Sequence, residues 1–228
     1  MVPEEWTRLH MAMVPKPGKP LHLVKSWRPI VLMNTVGKPN QKVMADRLQV
    51  HNGLFHNLQY GSSKHRLAID SMMITVGKVE RARAEGKRAT LLGKDVVSAF
   101  NRVRADRLCG ILERAGLHWE AEYCRNFLGP RTFTISWDGS FMGTAHMDEG
   151  SPEGSPLSPV LWLIYIAETL RNAQGRMNIL SLQPAPSTNG GERRVTRPKP
   201  HSRGVSWQVD LFSYADDVNP LVKLSKGA

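Results

Sequence analysis

The chain has 228 residues, 41% of them hydrophobic, and 31 Lys and Arg against 20 Asp and Glu give it a formal net charge of +11. Such a chain is too apolar to stay disordered and long enough for one large core or two small ones. No apolar run approaches the roughly 18 residues of a transmembrane helix, and the Met1–Trp6 opening lacks the basic and apolar regions of a secretory signal.

An intracellular protein of the nucleus or cytoplasm, not secreted and with no membrane partner, is therefore expected. Cys109 and Cys124 lie in helical-looking segments without metal-ligand spacing, and read as reduced core thiols of a reducing compartment. The positive charge points to a polyanion partner, but by itself does not separate a nucleic-acid enzyme from a binding module or a membrane-surface protein.

In chain order, residues 14–42 are rich in Pro and Lys and read as loop and short strand. Asn40 to Val50 reads as a helix with Val43, Met44 and Leu48 on its apolar side. Ile69, Met72, Met73, Val76 and Val79 carry helical spacing, stopped at Gly86. Ala89–Leu92 reads as a strand running into Asp95. Leu108 to Ala115 and Trp119 to Leu128 give two more helices. Thr132–Trp137, the turn Asp138-Gly139 and Phe141–His146 read as a hairpin. Val160 to Ala167 is apolar almost all round and reads as a buried helix led by Ser158-Pro159. Residues 184–206 read as a solvated basic loop, and Val209–Tyr214 with Val218–Lys223 as a last hairpin around Ala215-Asp216-Asp217.

Asp216 and Asp217 are adjacent carboxylates at a hairpin tip. They repel each other, and a divalent cation relieves that repulsion, because Mg²⁺ prefers carboxylate and phosphate oxygens. Most such pairs in turns simply face water, so the pair alone decides nothing. Asp95 follows an apolar strand. A buried carboxylate there needs a partner or a metal, whereas an exposed one needs neither. Together, a strand-end Asp and a hairpin Asp-Asp can converge on neighbouring strands and clamp two ions roughly 3.5–4 Å apart, the arrangement used for in-line phosphoryl displacement. The segment Gly150-Ser151-Pro152-Glu153-Gly154-Ser155-Pro156-Leu157-Ser158-Pro159 adds glycines that let backbone approach a ligand closely and prolines that stiffen the turn.

These blocks, in this order, resemble the reverse transcriptases of non-LTR (LINE-like) retrotransposons. Lys16-Pro17-Gly18-Lys19 and Trp27-Arg28-Pro29-Ile30-Val31-Leu32 are similar to that family's fingers motif. Gln59-Tyr60-Gly61 to Arg66, with Ile69-Asp70, resembles its second fingers block. Asp95–Phe100 resembles motif A, Gly150–Pro159 motif B, and Tyr214-Ala215-Asp216-Asp217 motif C. Trp137-Asp138-Gly139, Met147–Gly150 and Asp216–Val222 look most like elements of filamentous fungi.

The resemblance implies an α+β fold: the fingers and palm of a polymerase right hand, with a central antiparallel sheet backed by helices and no thumb. Fingers are expected over residues 1–88 and palm over 89–228. It implies RNA-directed DNA polymerase activity, transferring dNMP from a dNTP to a primer 3′-hydroxyl on an RNA template. Endonuclease and thumb regions are expected in a longer parent protein. Asp95, Asp216, Asp217 and the Val96 carbonyl are the implied ligands of two Mg²⁺ (or Mn²⁺) ions. Phe100, Arg28, Lys64, Arg66, Glu153 and Gly154 are the implied nucleotide contacts, and Tyr214, Ser155 and Pro156 the template or primer contacts. Phe100 stands where a bulky ring would collide with a ribose 2′-hydroxyl and favour deoxynucleotides.

The sequence departs from the pattern at Glu153, where glutamine is usual, at Lys94, where an apolar residue is usual, and at Asn101, often aspartate. Pro220 in the second strand of the last hairpin fits only an edge or a bulge. These departures keep a second reading open, an inactive nucleic-acid-binding remnant. A third, a different two-metal enzyme such as an RNA-templated RNA polymerase or a nuclease, is disfavoured by Phe100 and by the fingers blocks.

Overall fold

A computed structural model describes residues 8–64, 66–182, 206–214 and 217–225. By its internal contacts the chain forms two compact units that interleave in sequence. One takes in Met1–His56, Ser62–Lys64 and Val97–Ala167; the other takes in Asn57–Gly61, His65–Val96 and Glu168–Ala228.

The first unit is built on a four-stranded sheet of β1 (Arg8–Pro15), β2 (Trp27–Leu32), β6 (Arg131–Trp137) and β7 (Ser140–Met147), in the order β2-β1-β6-β7. β1 runs parallel to β6, and the other pairings are antiparallel. Local sequence makes the β6–β7 hairpin: Asp138 and Gly139 both adopt positive φ, 47° and 74°, the pairing that a two-residue type I′ turn requires. At the same end of the sheet, beside that turn, the rings of Trp27 and Trp137 lie 3.8 Å apart.

The helices α1 (Gly37–Gln49), α3 (Ala105–Arg114) and α4 (His118–Leu128) also belong to this unit. In α3 the residues Leu108, Cys109, Ile111 and Leu112 form one buried stripe. Gly116, at φ 78°, then ends the helix: its amide bonds the Glu113 carbonyl and that of Leu117 bonds the Leu112 carbonyl, a Schellman stop. Cys109 and Cys124 are free, buried thiols, and the Cys109 Sγ–H reaches the Ala121 carbonyl at 3.2 Å, joining α3 to α4. Burial raises the pKa of both thiols. The core is completed by Leu9, Phe133, Leu157, Leu161 and Ile164, the last three around the start of α5 (Ser158–Leu182). That helix runs well past the Val160–Ala167 stretch legible in the sequence.

The second unit carries β3 (Gln59–Tyr60), α2 (Ala68–Ala84), β4 (Arg88–Leu91), β5 (Lys94–Asp95), β8 (Ser206–Tyr214) and β9 (Asp217–Ser225). The sheet order is β3-β8-β9-β4, with β5 pairing β9 as well. It is antiparallel apart from its β3 edge, which runs parallel to β8. Tyr60 is buried against Leu58, Val79 and Ala89. The helix expected over 66–86 forms, but most of its apolar stripe faces outward: Met72 and Met73 are 64% and 67% exposed.

Pro220 corrects the expectation of an edge or bulge. β9 is a central strand, with β8 along one side and β4 and β5 on the other. On that second side β5 pairs Asp217 and Val218 and β4 pairs Leu221 to Leu224, so Pro220 falls in the gap between the two ladders, where no hydrogen-bond donor is needed. Residues 184–205, the expected basic loop, lie outside the described residues. Among the described residues no helix is long and apolar enough to cross a membrane.

Candidate active site

A pair of opposed carboxylates is built in the second unit. β5 and β9 are antiparallel, and their register sets Asp95 directly opposite Asp217 and Lys94 opposite Val218. Directly opposed residues of such a pair have Cα atoms roughly 4.5–5.5 Å apart and belong to the same face of the sheet. The β8–β9 register sets Tyr214 opposite Asp217 as well. Asp216 itself lies outside the described residues. Asp95 is exposed, so its charge carries no burial cost, and Val96 is half-buried beside it. Among the described residues, which do not include Asp216, no group of three or more His, Cys, Asp or Glu gathers as a metal site.

Tyr214 is held from its other side by Tyr60 of β3. Arg66 fixes that neighbour: its Nη1 donates to the carbonyls of Asn57 at 2.8 Å and Gln59 at 3.1 Å, and its guanidinium lies 6.0 Å from the Tyr60 ring. Desolvation raises the Tyr60 phenol above its ordinary pKa, so it stays neutral. Arg66 thus secures the strand beside motif C.

A second feature belongs to the first unit. Lys38, Phe100, Glu153, Gly154, Ser155, Pro156, Ser158 and Pro159 line an open pocket of about 540 Å³. Its floor is pinned by main-chain bonds. The Val31 amide donates to the Glu153 carbonyl at 2.9 Å, and the Ser151 amide to the Phe100 carbonyl at 2.8 Å. Buried side chains finish the turn: the Ser155 hydroxyl donates to Gln41 Oε1 at 2.8 Å, and Ser151 and Ser158 hydroxyls meet at 2.5 Å.

The glycines of this turn serve the fold itself. Gly154 sits at φ 114°, and a Cβ there would stand 2.5 Å from the Val31 carbonyl oxygen; at Gly150, φ 88°, a Cβ would stand 2.9 Å from Asn101 Cα. The close approach expected toward a ligand is made to strand β2 and to the Asn101 backbone. Ser155 is likewise occupied, its hydroxyl buried against Gln41.

Of the fingers cations, Lys64 pairs with Asp46 at 3.1 Å, and Arg28 is exposed on β2, its side chain making no hydrogen bond or ion pair to the described residues. One residue escaped the sequence reading altogether. Arg131, at the start of β6, is 4% exposed and donates from Nη2 to the Gly150 carbonyl. A strand-initial arginine carries no local signal that distinguishes it from a surface cation.

The fold is shared with telomerase. The solved structure of apo telomerase from Candida tropicalis, truncated from its C-terminal domain, aligns over 97% of this chain and 44% of its own at a TM-score of 0.54 with 9% identity. Telomerase from Candida albicans with a fragment of telomeric RNA aligns over 96% of this chain and 38% of its own at 0.52 with 10% identity. At such identities the likeness is one of fold alone, the fingers and palm of a reverse transcriptase. The profile of the reverse transcriptase (RNA-dependent DNA polymerase) family matches residues 14–226, and the chain belongs to that family.

Its curated relatives are products of non-LTR elements, as the motif order suggested. The Pol polyprotein of retrotransposable element R2 from Popillia japonica is 27% identical over 85% of this chain. The RNA-directed DNA polymerase of mobile element jockey from Drosophila melanogaster is 25% identical over 73%. The chain spans 26% and 18% of the length of those two proteins.

Proposed function

We propose that this chain is the catalytic core of an RNA-directed DNA polymerase, with residues 1–88 as fingers and 89–228 as palm. The primer 3′-oxygen attacks the α-phosphorus of a dNTP selected by an RNA template, and pyrophosphate leaves. The observation that carries this reading is the β5–β9 register, which pairs the motif A carboxylate Asp95 with Asp217 of motif C.

The donor set fits hard divalent cations: carboxylates on paired strands, one of them exposed, offering oxygen ligands with open positions for phosphate and water. Asp95, Asp216 and Asp217, with the Val96 carbonyl, would hold two Mg²⁺ or Mn²⁺ ions. When bound, these supply Lewis-acid stabilisation of the attacking and leaving oxygens and lower the pKa of the 3′-hydroxyl. The protein's own part is placement. Tyr214 holds the hairpin in register beside the primer end. Phe100, half-buried at the pocket with Glu153 and Gly154, takes the sugar side of the nucleotide. Arg28 offers an unengaged cation to triphosphate or template, which the net charge of +11 also favours.

Primer extension on an RNA template with Mg²⁺ tests the proposal, with Asp216→Ala as control. Extension by wild type that the control lacks is the expected result. RNA binding that falls with salt, without extension even in a longer polypeptide of the same element, would instead establish a binding remnant.

A further inference from the structure

A buried cation with unused donors is the least expected feature of the first unit. Arg131 is 4% exposed, and its Nε and Nη1 atoms have no acceptor among the described residues. Its Nη2 donates to the Gly150 carbonyl and, at 3.5 Å, to that of Leu128. Among the described residues no carboxylate pairs with it, and burial pushes the guanidinium down to about 10, still protonated at neutral pH. Uncompensated buried charge is costly, and a methionine would fill similar volume without that cost. What the cation does that an apolar side chain cannot is hold the Gly150 carbonyl.

That carbonyl and the Ser151 amide belong to one peptide group. The Ser151 amide donates to the Phe100 carbonyl at 2.8 Å, and the Gly150 amide donates to the Val103 carbonyl at 3.2 Å. A single relay therefore runs from the Arg131 guanidinium through the 150–151 peptide to the Phe100 backbone. Hydrogen bonds in such a chain polarise and strengthen one another, and a charged donor at its head strengthens them most. The relay ends on Phe100, which lines the pocket with Glu153 and Gly154. The turn admits no side chain at 150, because a Cβ there would combine a positive φ with an approach of 2.9 Å to Asn101 Cα.

We propose that Arg131 is the positioning residue for Phe100, acting through the Gly150–Ser151 peptide, and that it sets how strictly the pocket discriminates deoxyribonucleotides from ribonucleotides. The proposal rests on the polymerase reading above, and its test separates the two. Arg131→Met, Arg131→Lys and wild type are compared in the full chain by kcat/KM for dNTP against rNTP and by hydrogen exchange at the Ser151 amide.

Arg131→Met is expected to lower the dNTP preference about tenfold, mostly through KM, and to speed Ser151 exchange by a similar factor. Arg131→Lys, which keeps a charged donor, restores most of both. Adding Phe100→Val to Arg131→Met changes selectivity far less than adding it to wild type, because both act on one element. Arg131→Gln, a neutral donor, takes the place of Arg131→Met if the latter does not fold, with the same direction expected. An active wild type whose preference is unchanged in Arg131→Met overturns the proposal. A wild type inactive even within a longer polypeptide of the same element overturns the polymerase reading, and the relay is then judged on Ser151 exchange: acceleration in Met but not Lys supports it, and no change rejects it.

Discussion

Asp95 and Asp217 occupy directly opposed positions of the β5–β9 pair, although 121 residues separate them in sequence. Like charges directly opposed across a sheet destabilise it. A divalent cation that bridges them reverses the sign of that interaction. Titration with Mg²⁺ is expected to raise the melting temperature of the wild-type chain and to leave Asp95→Ala unmoved. At a hundredfold excess over the dissociation constant the gain is about 2.7 kcal/mol. Calorimetry or thermal fluorescence at rising Mg²⁺ checks it, and a chelator should return wild type to its starting value.

Asp95→Ala should also lower primer extension by a factor on the order of 10²–10³, the scale on which single transition-state stabilisers act. Its circular dichroism should match wild type, because the side chain it removes is exposed. Single-turnover rates on an RNA template measure the loss.

Phe100→Val should admit ribonucleotides. Removing ring volume from a pocket wall relieves a collision without removing a hydrogen bond, so the effect is about 10–100-fold in relative kcat/KM. Competition between dNTP and rNTP on one template reads this directly.

Gly154→Ala is expected to destabilise the first unit by roughly 2–3 kcal/mol, because it combines a disfavoured φ with a backbone oxygen that cannot move aside. The urea midpoint should fall. Gly18→Ala is a contrasting case: it shares a positive φ of 71° but meets nothing within 4 Å, so strain alone remains and the loss is smaller, about 1 kcal/mol.

Glu120 is buried in α4, and Arg47 of α1 donates to it at 2.6 Å while lying 4.8 Å from the Trp119 ring. Burial pulls the Glu120 pKa upward, but the Arg47 hydrogen bond, a backbone hydrogen bond and the charges of Arg47 and His51 together outweigh it and hold the carboxyl below its ordinary value. The pair's stabilisation is therefore complete above the ordinary value of 4.5 and is lost as pH falls through the lower folded-state value. Glu120→Gln should cost roughly 1–2 kcal/mol at pH 7, Arg47 being half-exposed, and should flatten stability against pH below 4.5. Urea unfolding at a series of pH values tests both.

What could be read in the sequence followed from local chemistry. The helices announced themselves by apolar spacing and by Gly86 and Gly116 at their ends, and the β6–β7 hairpin by Asp138-Gly139. The order of the motif blocks carried the family. What could not be read depends on distant partners. β1 lies between β2 and β6, yet Arg8–Pro15 mixes His, Ala and Met without clean alternation, so only its neighbours reveal it as an inner strand. The reason for Gly154 is a carbonyl on another strand. Pro220 looked like an edge residue because no local rule foresees a strand flanked by two separate short partners. The helical period of α2 fixed its conformation, but gave no information about which side finds cover.

That interruption at Pro220 sets the mechanical character of the motif A strand. β5 is moored to β9 by two residue pairs alone, and β4 shares none of them. Asp95 thus stands on a tether that frays far more readily than the long β8–β9 ladder beside it. A cation spanning the two strands would act as a rivet there, so that filling the site and stiffening its scaffold become the same event.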